Sequence, residues 1–245
     1  MRLKTKVANV VRRIKQSWGS AETKRKLWNK EFSEGRWDFI ENSQGDVVYD
    51  FIRRHCRRGN ILDLGCGTGS TGCELDASDY SKYTGVDISD NALQKATVRS
   101  QQAGRKTKNR FVQGDIVSYI PDEKFDLILS RESIYYVPPY KIAPLLRRYA
   151  ESLTFQGVMI VRWHDARKGS KFLALLRPDF DVVETSANDA DGPFVVAFKL
   201  HAHGVPTSPE SRLSVAIDRP RNADGLPRET SASPDEDPPN ERPGT

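Results

Sequence analysis

Residues 60–70 read NILDLGCGTGS, and no other stretch limits the fold of this chain as tightly. An apolar run (Ile61, Leu62, Leu64) breaks into glycines at alternate positions, Gly65, Gly67 and Gly69. A strand that stops at such a loop brings its bare backbone close to a nucleotide-like ligand, because glycine tolerates the left-handed turn and leaves no side chain in the way. Three ligand classes are compatible with it: a triphosphate, a dinucleotide, or a ligand without phosphate.

Short β-type runs alternate with helical ones on either side of this loop. The runs are Ile61–Leu64, Tyr83–Val86, Arg110–Val112, Phe125–Leu129 and Val158–Trp163. That alternation predicts a parallel sheet with crossover helices. Ser89 caps a helix that runs towards Gly104, and Asp90 in its first turn favours the helix dipole. Leu145, Leu146, Tyr149, Ala150 and Leu153 give a later helix one apolar face. FDVVETSA and FVVAFKL then read as two strands around the turn residues Asn188, Asp189, Asp191, Gly192 and Pro193. The expected architecture is therefore α/β, a Rossmann-like sheet closed by a terminal antiparallel hairpin.

The loop chemistry narrows the ligand. A triphosphate loop needs Gly-Lys-Ser/Thr after its glycines, and none follows Gly69. A dinucleotide loop wants G-x-G-x-x-G, but Ser70 holds the third glycine's place. Asp63, two residues before Gly65, would repel a pyrophosphate and instead suits the ammonium end of an amino acid. Asp87 closes the second strand 22 residues after Gly65, where a carboxylate can accept both ribose hydroxyls; NAD enzymes share that feature. Asp115 ends the third strand in GDI, placed to accept from an adenine amino group. Together these describe a nucleoside whose other end is an amino acid.

LDLGCGTG, GVDIS and GDI resemble the motifs of the class I S-adenosylmethionine-dependent methyltransferases over about residues 45–200. The resemblance implies a seven-stranded sheet, mostly parallel, with the last strand antiparallel. It implies S-adenosylmethionine as cofactor, held by Asp63, Gly65, Cys66, Gly67, Gly69, Asp87, Ile88, Asp115, Ile116 and Ser130. The first crossover, 70–81, departs by its shortness and reads as a stubby helix. More loosely, LWNKEFSEGRWDF resembles the segment ahead of the domain in methyltransferases of glycan-assembly and small-molecule pathways. That implies a lid of Trp28, Phe32 and Trp37 over the cofactor, with Arg36 meeting its carboxylate; a helix simply packed on the sheet is the equal alternative. Two rival functions stay open, a nicotinamide-dependent dehydrogenase and a non-catalytic binding module.

Methyl transfer is an in-line displacement, so alignment and exclusion of water come first, and a base is needed only for a hydroxyl or a protonated amine. The segments after the fourth and fifth strands should supply it. SRESIYYVPPY offers Arg131, Glu132, Tyr135 and Tyr136 as cleft residues. Its Pro138-Pro139-Tyr140 follows Val137, which cannot accept from an amino group, so the prolines read as the start of a helix. VRWHDAR offers His164 as the general base, or as a histidine that only positions substrate or satisfies a loop hydrogen bond, and Glu132 and Tyr135 are the further catalytic candidates. A small-molecule, sugar or lipid-linked glycan acceptor is expected, with oxygen favoured over nitrogen as the attacking atom.

Charge sets the partners. Residues 1–30 carry ten Lys and Arg against Glu22 alone, a surplus of +9, and the chain's net +5 leaves −4 for the remainder. A nucleic-acid enzyme shows its positive field on the folded domain, so no nucleic acid is expected. Leu3, Val7, Val10, Val11, Ile14 and Trp18 lie at helical spacing among those cations. Residues 1–20 thus read as a basic amphipathic helix, set peripherally on an anionic membrane, packed by its stripe on the domain, or serving a targeting or partner role. The catalytic domain is expected over 21–203, its lid segment over about 21–45. Residues 204–245 hold eight of the fourteen prolines and no aromatic residue, a composition expected to be disordered. Cys56, Cys66 and Cys73 lack metal-ligand spacing and read as reduced thiols in a cytoplasmic protein. No metal is expected; His201 and His203 make a weak pair.

Overall fold

β1 (Asn60–Leu64) is buried along nearly its whole length, as the centre of a parallel sheet covered on both faces requires. Its neighbours are β2 (Lys82–Asp87) and β4 (Phe125–Arg131), both parallel to it. With β3 (Asn109–Gln113), β5 (Leu153–Trp163), β6 (Phe180–Thr185) and β7 (Phe194–Leu200) they form a seven-stranded sheet in the order β3-β2-β1-β4-β5-β7-β6. β7 is antiparallel to both β5 and β6, the expected terminal hairpin. The computed structural model describes residues 2–166, 169–186 and 192–201. All of these lie in a compact unit that spans Met1–Ala202. The expected disordered tail at 204–245, His203 and part of the hairpin turn lie outside the described residues.

Two-residue periodicity splits the sheet's side chains between two core layers. Leu62, Leu64, Ile128, Met159, Val161, Val196 and Phe198 face one side, under α6 (Pro139–Ala150) and α7 (Gly169–Leu176). Ile61, Leu127, Leu129, Val158, Ile160, Val195 and Ala197 face the other, under α3 (Val48–Cys56). Phe125 breaks the parity by joining the first layer, because the β4–β5 register shifts between Phe125 and Leu127. Pro139 occupies the first turn of α6, where its missing N–H costs nothing. α4 (Ser70–Glu74) is the stubby first crossover, and α5 (Asp90–Gln102) is capped by the Ser89 side chain.

α1 (Arg2–Trp18) and α2 (Ala21–Ser33) precede the sheet. α1 corrects the alternative in which its stripe packs on the domain. Val7, Val10, Val11, Ile14 and Trp18 are 44–60% exposed. The inward face is polar instead: buried Gln16 donates to Glu31 of α2 at 3.3 Å, and Arg12 sits 3.5 Å from the same carboxylate.

Candidate functional site

The strand order reverses direction between β1 and β4, so the loops leaving their carboxyl ends diverge and open a crevice. Gly65 and Cys66 both donate their backbone N–H to Val86 O, at 2.7 and 3.0 Å, which folds the loop across the end of β2. Gly65 has φ +78°, and a Cβ there would lie 2.5 Å from Ser133 Cβ, so nothing larger than glycine fits. Ser130 sits behind this contact. Its buried hydroxyl bonds the Ser133 hydroxyl at 2.6 Å, so it braces the loop and does not line the cleft. Gly69 is also a packing position, where a Cβ would meet Ala96 at 2.9 Å.

Asp63 is fully buried at the base of the crevice. Tyr83 donates its hydroxyl to Oδ2 at 2.6 Å, while Oδ1 is buried with no hydrogen-bond partner. Burial raises the Asp63 carboxyl pKa against the pull of Tyr83 and Arg131. Such an acceptor wants a cation. Asp87 accepts from Gly67 N–H at 2.9 Å and from Ser89 N–H at 2.8 Å. Burial nonetheless pushes its carboxyl up to about 6. The half-buried Cys66 thiol is pushed well up by desolvation and by the charges of Asp87 and Asp63, and stays protonated.

Asp115 at the end of β3 receives Lys24 Nζ at 2.9 Å and Val117 N–H at 3.0 Å. Lys24 belongs to α2, which therefore closes over this end of the cleft. Asn29 of the same helix accepts from Ser89 Oγ at 2.7 Å, and Arg25 pairs with Asp90 at 2.7 Å. Trp28, Phe32 and Trp37 line the cleft with Ile88 and Ile116. Trp37 also donates Nε1 to Glu31 at 2.9 Å. Arg36 departs from expectation: it is exposed after the Gly35 turn and does not line the cleft. Arg131 does. Its Nη1 donates to two neutral oxygens, Ser43 Oγ at 2.8 Å and Tyr49 Oη at 3.0 Å, with no carboxylate within 4 Å among the described residues. Asp63 with a free oxygen and Arg131 with an unmatched charge are complementary to the zwitterionic end of an amino acid.

Beyond them, three side chains converge on Glu132. His164 Nδ1 is 2.9 Å from Oε2, Tyr135 donates its hydroxyl to Oε2 at 2.7 Å, and Arg162 pairs with Oε1. Arg162 is itself held by Asp46 at 2.9 Å. Glu132 is one of three non-glycine residues at positive φ, +56°, among the described residues. That strain is of the kind found where a side chain must be aimed. Burial and Glu132 push the Tyr135 hydroxyl far up, so it remains a donor. With Nδ1 turned to Glu132, His164 presents Nε2 outward from an exposed ring. The structure thus brings all three candidate catalytic residues together and adds Arg162 and Asp46. His201 lies elsewhere, paired with Asp181 at 3.0 Å. No metal-binding cluster occurs among the described residues.

The cleft has a volume of 960 Å³, room for a nucleoside–amino acid and a second molecule. Its residues fit S-adenosylmethionine: the glycine cradle, the orphaned Asp63 oxygen, and acids at the ends of β2 and β3 that keep acceptor lone pairs.

Comparison with known proteins agrees. A family model described as a methyltransferase domain matches residues 57–191, more than half of the chain. A trans-aconitate 2-methyltransferase of Enterobacter sp. is 33% identical over 107 residues, covering 43% of this chain and 39% of its own. A sterol 24-C-methyltransferase of Pneumocystis carinii is 30% identical over 79 residues, covering 32% and 21%. The chain thus spans about a fifth to two-fifths of the length of these curated relatives. Among solved structures, a DhpI complex with S-adenosylhomocysteine superposes with a TM-score of 0.62 at 15% identity, over 76% of this chain and all of the other. The N-methyltransferase NodS of Bradyrhizobium japonicum gives 0.57 at 18% identity, over 72% and 98%. In strand order, cradle and matched domain alike, this chain belongs to the class I S-adenosylmethionine-dependent methyltransferases.

Proposed function

We propose that the protein moves a methyl group from S-adenosylmethionine to an oxygen of a small-molecule acceptor, with His164 as general base. The convergence of His164, Tyr135 and Arg162 on Glu132 carries this reading. S-adenosylmethionine supplies an electrophilic methyl group when bound. Asp63 takes its ammonium end, Arg131 its carboxylate, Asp87 the ribose hydroxyls and Asp115 the adenine amino group. Cys66, Gly67, Ile88, Ile116 and Trp37 line the same cradle. Glu132 fixes His164 by accepting from Nδ1, which leaves Nε2 to receive the acceptor's hydroxyl proton. Arg162 neutralises Glu132 and stops it from leaving that geometry. The aromatic lid of Trp28, Phe32 and Trp37 excludes water around the reacting atoms.

The finer reading is a sugar or lipid-linked glycan acceptor, met in the cytoplasm at an anionic membrane. No helix among the described residues is long and apolar enough to cross a membrane. The outward stripe of α1 supports a peripheral contact: Val10 and Ile14 are 59% and 54% exposed, and Trp18, whose ring lies 5.7 Å from that of Tyr140, is 60% exposed, beside cations such as Lys15. Ile14→Asp is expected to abolish flotation of the full chain with vesicles of phosphatidylcholine and phosphatidylserine. Unchanged flotation of the variant would remove the contact.

Methyl transfer is tested with labelled S-adenosylmethionine and an extract of the source cells. The products are separated into lipid, glycan, protein, nucleic-acid and small-molecule fractions, with Asp87→Ala protein as the blank. Label in the small-molecule, glycan or lipid fraction supports the reading. Label in nucleic acid or protein refutes it.

A further inference from the structure

One end of the cleft carries positive charge that the cofactor does not use. Arg12, from the inward side of α1, and Arg13, on its exposed flank, line it beside Gln16, Trp28 and Tyr136. Arg12 lies 3.5 Å from Glu31 Oε1, yet its Nε and Nη1 are buried without a hydrogen-bond partner. Glu31 is shared with Gln16 and Trp37, which donate to its oxygens. Arg13 forms no hydrogen bond or ion pair among the described residues. Of the other cations of the wall, Arg131 faces the cofactor's carboxylate in the reading above, Lys24 pairs with Asp115, and Arg162 pairs with Glu132 and Asp46. A guanidinium with buried unmatched donors is costly unless something arrives to accept from them.

The distance of this end from the base is set by two aromatic rings. Both arginines act electrostatically on Tyr136. The Tyr136 ring is 4.7 Å from that of Tyr135 and 4.8 Å from Trp28, and Tyr135 bonds Glu132. An acceptor lying along these faces would keep its reacting oxygen at Glu132 and His164 and its far end at α1.

We propose that the acceptor is an acid: it carries a carboxylate or phosphate remote from the reacting atom, and Arg12 and Arg13 bind that group. This rests on the methyl-transfer reading only for where the reacting oxygen sits. Two planar guanidinium forks suit either anion, and neither carries a hydrogen-bond acceptor. Held this way, the acidic group fixes the acceptor's length against the cleft and contributes to binding, not to the chemical step.

The test uses the full chain saturated with S-adenosylhomocysteine and follows tryptophan fluorescence. The probes are 4-hydroxycinnamate, its neutral amide and phenyl phosphate. At least one anion is expected to bind about tenfold more tightly than the amide, the scale of one charge-assisted contact. Tighter cinnamate or tighter phosphate tells which anion the site takes. An Arg12→Gln, Arg13→Gln double variant should lose that preference while its affinity for S-adenosylhomocysteine is unchanged, which shows that the fold is intact. Equal binding of the amide, no binding by either anion, or a preference that survives in the variant overturns the inference. In the labelled extract, the methylated product should be retained by an anion exchanger, and a neutral product overturns the inference too. Anion preference without any labelled product would sustain this site and reject the methyl-transfer reading alone.

Discussion

Glu132→Gln is expected to lower kcat by about a hundredfold or more, the usual contribution of a positioned base, with affinity for S-adenosylhomocysteine unchanged. The carboxylate differs from an amide in having only acceptor oxygens and a full negative charge. It accepts from His164 Nδ1, which commits the ring to the tautomer whose Nε2 is free, and it balances the charge of Arg162. An amide can turn its NH2 towards Nδ1, which reverses the tautomer and ties up the wrong nitrogen. The variant should still fold, because Arg162 keeps Asp46 at 2.9 Å and the cofactor cradle lies on other loops. His164→Ala should lose a comparable factor, and the double variant little more than either single one, since the two side chains act as one unit. Steady-state rates with a cofactor-binding control measure this. A Glu132→Gln enzyme of full activity would show that alignment alone drives the reaction.

Affinity for S-adenosylhomocysteine should rise about tenfold between pH 5 and pH 7, then level off. Asp87 sets this profile. Its carboxyl is pushed up to about 6, first by burial and then by Asp63, against the N–H groups of Ser89 and Gly67. Ribose hydroxyls donate to the ionised form, so binding strengthens as Asp87 loses its proton, and at pH 5 only about a tenth of the sites are ready. Asp63, also raised, acts in the same direction. For ligand-free stability the sign is opposite. A carboxyl with a folded pKa above its unfolded one favours the fold below pH about 4, and that contribution is lost as pH rises through about 6. Titration calorimetry across pH, on the natural protein and on Asp87→Asn, separates the effects. The variant should bind more weakly at pH 7 and lose the Asp87 step. A flat profile for the natural protein would contradict the assignment.

The cradle was legible in the sequence because its logic is local. Asp63, Gly65, Asp87 and Asp115 each sit at the end of an apolar run, and strand ends in a parallel sheet share one edge. The hairpin was legible for the same reason, from two apolar runs around turn residues. What stayed hidden depends on pairing across long stretches of chain. Arg162 meets Asp46 from 116 residues away, and Lys24 meets Asp115 from 91, with no periodicity to announce either. Arg36 is the sequence's candidate for the cofactor carboxylate, but the Gly35 turn sends it outward while β4 brings Arg131 beside Asp63. In α1 the periodic stripe was plain, but which face would meet the domain was not. Gln16 and Arg12, one helical turn apart, decide it by bonding or pairing with Glu31, and the apolar side is left facing out.

The most direct measurement is a crystal structure of the full chain with S-adenosylhomocysteine. The amino group is expected on Asp63, the carboxylate on Arg131, the ribose on Asp87 and the adenine amino group on Asp115. The thioether sulfur should then face the side of the cleft that holds Glu132, Tyr135 and His164. A sulfur turned away from Glu132 and His164, or a ligand whose adenine and amino-acid ends are exchanged, would contradict it.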